Sequence, residues 1–282
     1  MLYKNHYIFI VNKYQKFKEW RARIMAKKKL LWINPLGTNI YDAPISDYLN
    51  TAVAEDTHID VVSLEKGPHH LEYYSYEAFV LLDILKTIKQ AEKDNYDATI
   101  IGCFYDPGLL EAREISEKMC VTAPAEACMH IASTLGYKFS IIVGRDKWIP
   151  QMTENVVKKG FRDKLASFKS VGLGVDEFHK DEKLTERLLK EAAKEAVEKD
   201  GAEVIILGCT IQFGFYKELE EYLGVPVIDS VIAPLKYAEF LVELKQKVNW
   251  THSKKGVYET PPTSEIKTWN LDSQYNMKGL WD

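Results

Sequence analysis

Long apolar runs, closely spaced cysteines and an excess of charge of one sign are all missing from this 282-residue chain. Each absence removes a class of protein. No stretch approaches the roughly 20 consecutive apolar residues of a membrane-spanning helix, so a soluble body is expected. The four cysteines, Cys103, Cys120, Cys128 and Cys209, show no close pair spacing. That pattern fits reduced thiols in the cytoplasm rather than a secreted disulfide framework. A formal net charge of −4 argues against a nucleic-acid-binding surface over the whole chain and directs attention to small-molecule substrates. A chain of this length buries about 75% of the surface its unfolded form exposes, enough for two domains without a disulfide or a metal.

Residues ahead of Met25 differ from the rest. They are rich in Lys, Arg and aromatics, with Glu19 as their only acid. The apolar segment Tyr7 to Val11 is short for a signal core, and no cleavage site follows it. From Met25 the chain reads like a protein whose first element is a strand, so Met25 is expected to be the natural start.

What is present is a repetition. Asp97 to Cys103 reads Asp-Ala-Thr-Ile-Ile-Gly-Cys, and Glu203 to Cys209 reads Glu-Val-Ile-Ile-Leu-Gly-Cys. A short β-branched run ending in Gly and a reactive residue reads as a buried parallel strand opening into a site. An acidic amphipathic stretch follows each, Leu110 to Lys118 and Tyr216 to Leu223, and then a further strand-to-helix passage beginning at Val121 and at Val225. The offset between the halves stays roughly constant, so the chain reads as a duplicated α/β unit.

The resulting map has strands at 29–34, 59–64, 97–102 and 138–143, a weak strand at 170–175, and the strand before Cys209. Helices are expected at 44–54, 76–93, 109–119, 125–135, 150–160, 183–199 and 230–247, with an irregular tail from Thr251. Such alternation means parallel sheets covered by helices on both faces, giving two similar three-layer domains. The expected division is an extension at 1–27, a first domain of 28–120 joined by 226–250, a second domain of 121–225, and a tail of 251–282.

The paired strand ends set two thiols across one substrate. Inverting a carbon stereocentre needs a base on one face and an acid on the other. Cys103 and Cys209 meet that requirement if one is a thiolate and its partner a thiol, and helix N-termini after both cysteines are expected to lower the thiol pKa. Negative charge on the adjacent carbonyl oxygen needs donors, for which Thr210, Asn34 and Thr38 are the candidates in these loops. Such a scheme requires neither a metal nor an organic cofactor.

A single cysteine at a strand end is ordinarily a packing residue, but two at equivalent repeat positions reverse that judgement. Cys120, expected to end a helix, and Cys128, inside the next, have no such counterpart and are read as core. Asp106 before Pro107 and Gly108 suits either turn formation or the orienting of a catalytic group. Glu126 and Asp229 occupy matching places as helix caps or substrate contacts. His69 and His70 lack a third zinc ligand, and Gly172 with Gly174 lacks the context of a dinucleotide fingerprint.

The ordered blocks resemble hydantoin racemases. They comprise Asn34-Pro35, Gly67-Pro68 with Glu72 and Tyr74, Gly102 to Leu109 with Arg113, Leu207 to Cys209, Gly224 to Asp229, and Thr251 to Tyr258. The resemblance runs from about residue 29 to 262 and places the chain in the aspartate/glutamate racemase superfamily. It implies two pseudo-twofold-related α/β domains, an active site in the cleft between them, one catalytic cysteine from each, and a homo-oligomer. Asn34, Thr38, Phe104 and Thr210 are together the expected substrate-binding residues.

Three loops depart from the family. Its Asn-Pro-Asn-Thr-Ser becomes Asn34 to Thr38, Asn-Pro-Leu-Gly-Thr; its Ser-Ile-Glu-Gly becomes His70 to Tyr73; and its Ala-Gly-Met after the second cysteine becomes the bulkier Thr210 to Gly214. Glutamate racemases carry Gly-Cys-Thr-His there, where this chain has Ile211 in place of the histidine. The expected activity is racemisation of 5-substituted hydantoins or related cyclic amides. The alternatives are an amino-acid racemase, a cysteine-dependent diacid decarboxylase or isomerase, and a non-catalytic binding protein of the same fold.

Overall fold

The computed structural model describes residues 27–281. The expected start at Met25 lies outside them. β1 (Lys28–Asn34), β2 (Thr57–Ser63), β3 (Ala98–Ile101) and β4 (Cys120–Thr122) form one sheet in the order β2-β1-β3-β4. β5 (Phe139–Val143), β6 (Leu165–Ser170), β7 (Val204–Leu207) and β8 (Val227–Ile228) form another in the order β6-β5-β7-β8. Every pairing is parallel. The two orders are the same arrangement used twice, as the sequence repetition predicts.

The central strands are the runs with no polar alternation. Ile100, Ile101, Ile205 and Ile206 are wholly buried, because helices cover both faces of each sheet. On the first sheet α2 (Tyr74–Lys93) supplies Val80, Ile84 and Ile88 to one face, while α8 (Ile232–Val248) packs Leu235, Ala238 and Val242 against Leu30, Trp32 and Ile100 on the other. On the second sheet those places are taken by α6 (Glu182–Asp200) and α4 (Pro124–Leu135). The helix after β4 therefore covers the second sheet, and the helix after β8 returns to cover the first. Each half lends a helix to the other. The closing strands lie just past the expected boundaries, with Val121 and Thr122 in the first sheet and Val227 and Ile228 in the second.

Smaller elements are α1 (Asp42–Asn50), α3 (Leu109–Ile115), α5 (Ile149–Lys158) and α7 (Tyr216–Leu223). Several differ from the sequence map. α3 stops at Ile115 because one oxygen of Glu92 accepts the N–H groups of Glu117, Lys118 and Met119, at 2.8, 2.7 and 3.2 Å, turning the chain into β4. Cys120 accordingly opens a strand instead of ending a helix. The strand expected at 170–175 lies at Leu165–Ser170. It is an edge strand, partly exposed along its whole length, so no apolar run marks it, and the ladder breaks where Gly172 takes a positive φ of 76°. The tail carries a 3-10 turn at Gly256–Tyr258, α9 (Thr263–Thr268) and α10 (Leu271–Gln274). It is strapped to the first half: His252 Nε2 accepts the Val121 N–H at 2.9 Å, and Thr260 Oγ1 donates to the Glu114 carbonyl at 2.8 Å.

Candidate active site

β3 and β7 hold equivalent places in their sheets, and both end in Gly-Cys. The glycine is required by close approach rather than by a turn. A Cβ on Gly102 would lie 2.4 Å from the Trp32 ring, and one on Gly208 would lie 2.6 Å from Ile141 Cγ2. Each chain then turns back at once, the Asp106 N–H donating to the Cys103 carbonyl and the Gln212 N–H to the Cys209 carbonyl, both at 2.9 Å. The two turns meet: Thr210 Oγ1 donates to the Gly102 carbonyl at 3.4 Å.

Cys103 and Cys209 consequently line one cleft of about 310 Å³ between the two halves, together with Phe104, Tyr105, Trp148, Glu72 and Thr210. Of the residues expected from sequence, the structure brings Cys103, Cys209, Phe104 and Thr210 together. It does not bring in Asn34 or Thr38. The Asn34 amide is spent at the end of β1, accepting the Trp32 Nε1–H at 2.7 Å and donating to Asp42 at 2.6 Å. Thr38 Oγ1 faces its own loop, accepting the Ile40 N–H at 3.5 Å.

Burial raises the pKa of both thiols, the opposite of the expected lowering. Burial pushes the Cys103 thiol well above its usual range, against the pull of the Tyr105 N–H, and the charge of a Cys209 thiolate would raise it further. Burial likewise pushes Cys209 up to about 12, opposed by the N–H groups of Ile211 and Thr210 and reinforced by Glu72. The expected helix field is missing for a geometric reason. α3 begins at Leu109 and α7 at Tyr216, each well past its cysteine, and only a 3-10 turn at Thr210–Gln212 follows Cys209 directly.

Glu72 is the site residue that sequence reasoning left out. It comes from the first half and is 7% exposed, yet the hydrogen-bond donors to its carboxylate belong to the second. Arg145 donates to it at 2.6 Å, Trp148 Nε1 at 3.4 Å and the Val175 N–H at 2.9 Å. Burial alone would raise its pKa, but the Val175 N–H and Arg145 overcome that and hold the carboxyl below its ordinary range. Its place among the residues that carry the family resemblance was the only available signal, since its contacts are made across the cleft.

An adjoining cleft of about 990 Å³ shares Tyr105 with the first. Its central charges are already paired, Arg113 with Glu126 at 2.6 Å and Lys159 with both Asp106 and Glu126 at 3.1 and 3.0 Å. Glu126 is thus an ion-pair partner away from the thiols. Asp229 is a helix cap, accepting the Val231 and Ile232 N–H groups at 2.8 and 3.0 Å. His70 lies 4.0 Å from Glu72 and packs against the Tyr76 ring.

Residues 30–238 match the model of the Asp/Glu/hydantoin racemase family. A hydantoin racemase from Paenarthrobacter aurescens is 37% identical over 83% of this chain and 97% of its own length. Another from Pseudomonas sp. (strain NS671) is 35% identical over 84% of this chain and 93% of its own. Among solved structures, an allantoin racemase from Klebsiella pneumoniae superposes with a TM-score of 0.78 at 28% identity, covering 84% of this chain and 94% of that one.

Proposed function

The chain belongs to the Asp/Glu/hydantoin racemase family, and within it we propose a cofactor-independent racemase that works with two thiols on 5-substituted hydantoins or related cyclic amides. The observation that carries the mechanism is the single cleft shared by Cys103 and Cys209, reached from equivalent ends of two repeated sheets. In the thiolate–thiol state one sulfur takes the proton from the carbon beside the carbonyl and becomes a thiol. The opposite thiol returns a proton to the other face and is left as the thiolate. Charge and protons balance, and the product leaves the two cysteines with exchanged roles. The transient charge on the carbonyl oxygen calls for donors from the two turns, namely their backbone N–H groups and the Thr210 hydroxyl once it is released from the Gly102 carbonyl.

The substrate class rests on charge. Among the described residues no lysine or arginine lines the thiol cleft, Glu72 is the one Asp or Glu there, and Arg145 is already bound to that carboxylate. The α-carboxylate of an amino acid would enter without a counter-ion, whereas a neutral ring does not need one. The hydantoin racemase relatives and the allantoin racemase neighbour support the same choice, since allantoin is itself a substituted hydantoin. Among the described residues no helix is long and apolar enough to cross a membrane. The use of free thiols suits the reducing cytoplasm. A homo-oligomer is proposed by kinship, and a mass in solution equal to one chain would refute it.

The test is a pair of variants. Cys103→Ser and Cys209→Ser are each expected to reduce racemisation of a 5-substituted hydantoin by about 10³-fold, within the range for loss of a proton-transfer group. Wild-type racemisation in either would remove that cysteine from the mechanism.

A further inference from the structure

Two buried carboxylates outside the thiol cleft have related environments. Asp106 lies on the turn that carries Cys103, at a positive φ of 51°. One of its oxygens accepts the Ala125 N–H at 2.8 Å, and the other accepts the Glu126 N–H at 3.0 Å. Those groups form the N-terminus of α4, the helix that covers the second sheet. Lys159, just past α5, lies 3.1 Å from the same carboxylate, and Asn155 within α5 donates to the Tyr105 carbonyl at 2.6 Å. The Cys103 turn leaves the first sheet but is fastened to helices of the second half.

The Cys209 turn is fastened the other way. Asp229 caps α8, the helix that covers the first sheet, and its second oxygen accepts the Gly214 N–H at 3.2 Å, on the loop after Cys209. Tyr48, from α1 of the first half, donates its hydroxyl to that oxygen at 2.8 Å. One carboxylate thus sits at the head of each crossover helix, and each holds a thiol loop that comes from the opposite sheet.

We propose that Asp106 and Asp229 are positioning residues, one for each cysteine, which together fix the separation of the two thiols across the cleft. The proposal rests on the two-thiol mechanism above and adds residues that touch no substrate. Proton transfer on opposite faces of one carbon tolerates little error in where each sulfur stands, since a displacement of about 1 Å costs up to about 10²-fold in rate. Loss of one carboxylate should therefore disable one thiol and spare the other.

Asp106→Asn and Asp229→Asn test this by two independent readouts. In the first, single enantiomers of a 5-substituted hydantoin are incubated in deuterated water. An enantiomer deprotonated by the intact thiol can still exchange with retention, so Asp106→Asn should slow exchange of one enantiomer by about tenfold or more and leave the other within about twofold. Asp229→Asn should do the reverse, with KM little changed in both. In the second, iodoacetamide labelling of each cysteine is followed by peptide mass. Asp106→Asn should alter the rate at Cys103 and not at Cys209, and Asp229→Asn the opposite. Equal slowing of both enantiomers, or labelling that shifts equally at both cysteines or at neither, overturns the proposal.

The labelling readout needs no turnover, so it stands even if hydantoins prove not to be substrates. Should an Asn variant unfold, Lys159→Gln and Tyr48→Phe remove one tether each while leaving both caps in place. They should show the same selectivity at smaller amplitude, and its absence from folded protein overturns the proposal equally.

Discussion

At the scale of single residues, the two thiols are paired by the repeat but governed by burial. Sequence shows Cys103 and Cys209 at equivalent strand ends and leaves Cys120 and Cys128 to the core, where they are 2% and 0% exposed. It does not show how far each cysteine stands from the next helix, and so it suggests a lowered thiol pKa where the folded chain raises it. A raised pKa means that the thiolate fraction grows as pH rises. Iodoacetamide modification of Cys209 should climb about tenfold per pH unit from neutrality upward. With the thiol pushed up to about 12, the rate should not level off in the mildly alkaline range. A plateau near pH 7 would show a thiolate already formed. Asn34 and Glu72 mark the same boundary of legibility. One looked free and is consumed by Trp32 and Asp42, while the other looked incidental and closes the cleft on Arg145, Trp148 and Val175.

Among the elements, those whose patterns come from local burial were readable. β1, β3, β7, α2 and α6 lie within a residue or two of their expected positions, because an unbroken β-branched run or a helical stripe reports directly on a covered face. Elements shaped by distant contacts were not. β6 is an edge strand without an apolar run, α3 is cut short by Glu92, and the tail helices fold against a surface that the rest of the chain must first create. The Gly-Cys junctions show how an element serves the site. With a Cβ on Gly102 forced into Trp32, Gly102→Ala should destabilise the protein by about 1–3 kcal/mol through overpacking, measured by urea unfolding. A loss of racemase activity larger than the loss of folded protein should accompany it, because the Cys103 turn must shift to make room. Wild-type stability and activity would show that the junction has more space than the packing indicates.

Across the whole molecule, two repeated units become one body by exchanging helices, and the bonds that join them collect around the thiol loops. Glu126 ties Arg113 of the first half to Lys159 of the second. Burial alone would raise its pKa, but Arg113 and Lys159 hold it at about 2, against an ordinary 4.5. A carboxyl whose folded pKa lies below its unfolded value stabilises the protein above the unfolded pKa, and that contribution is lost as pH falls from about 4.5 towards 2. Its size is at most about 3 kcal/mol, since part of the effect belongs to its coupled partners. Glu126→Gln should therefore lower stability to urea at pH 7, and the gap from wild type should narrow as pH drops below about 4. An equal gap at both pH values would assign the loss to packing instead.

The central claim is that Cys103 and Cys209 pass a proton across one carbon, and exchange in deuterated water reads it most directly. A single enantiomer of a 5-substituted hydantoin should racemise in wild-type protein while its ring C–H signal is replaced by deuterium. In Cys103→Ser and Cys209→Ser the inversion should fall by about 10³-fold, and any exchange that survives should keep its configuration and favour opposite enantiomers in the two variants. Racemisation at the wild-type rate in either variant, or inversion without uptake of solvent deuterium, would contradict a two-thiol mechanism.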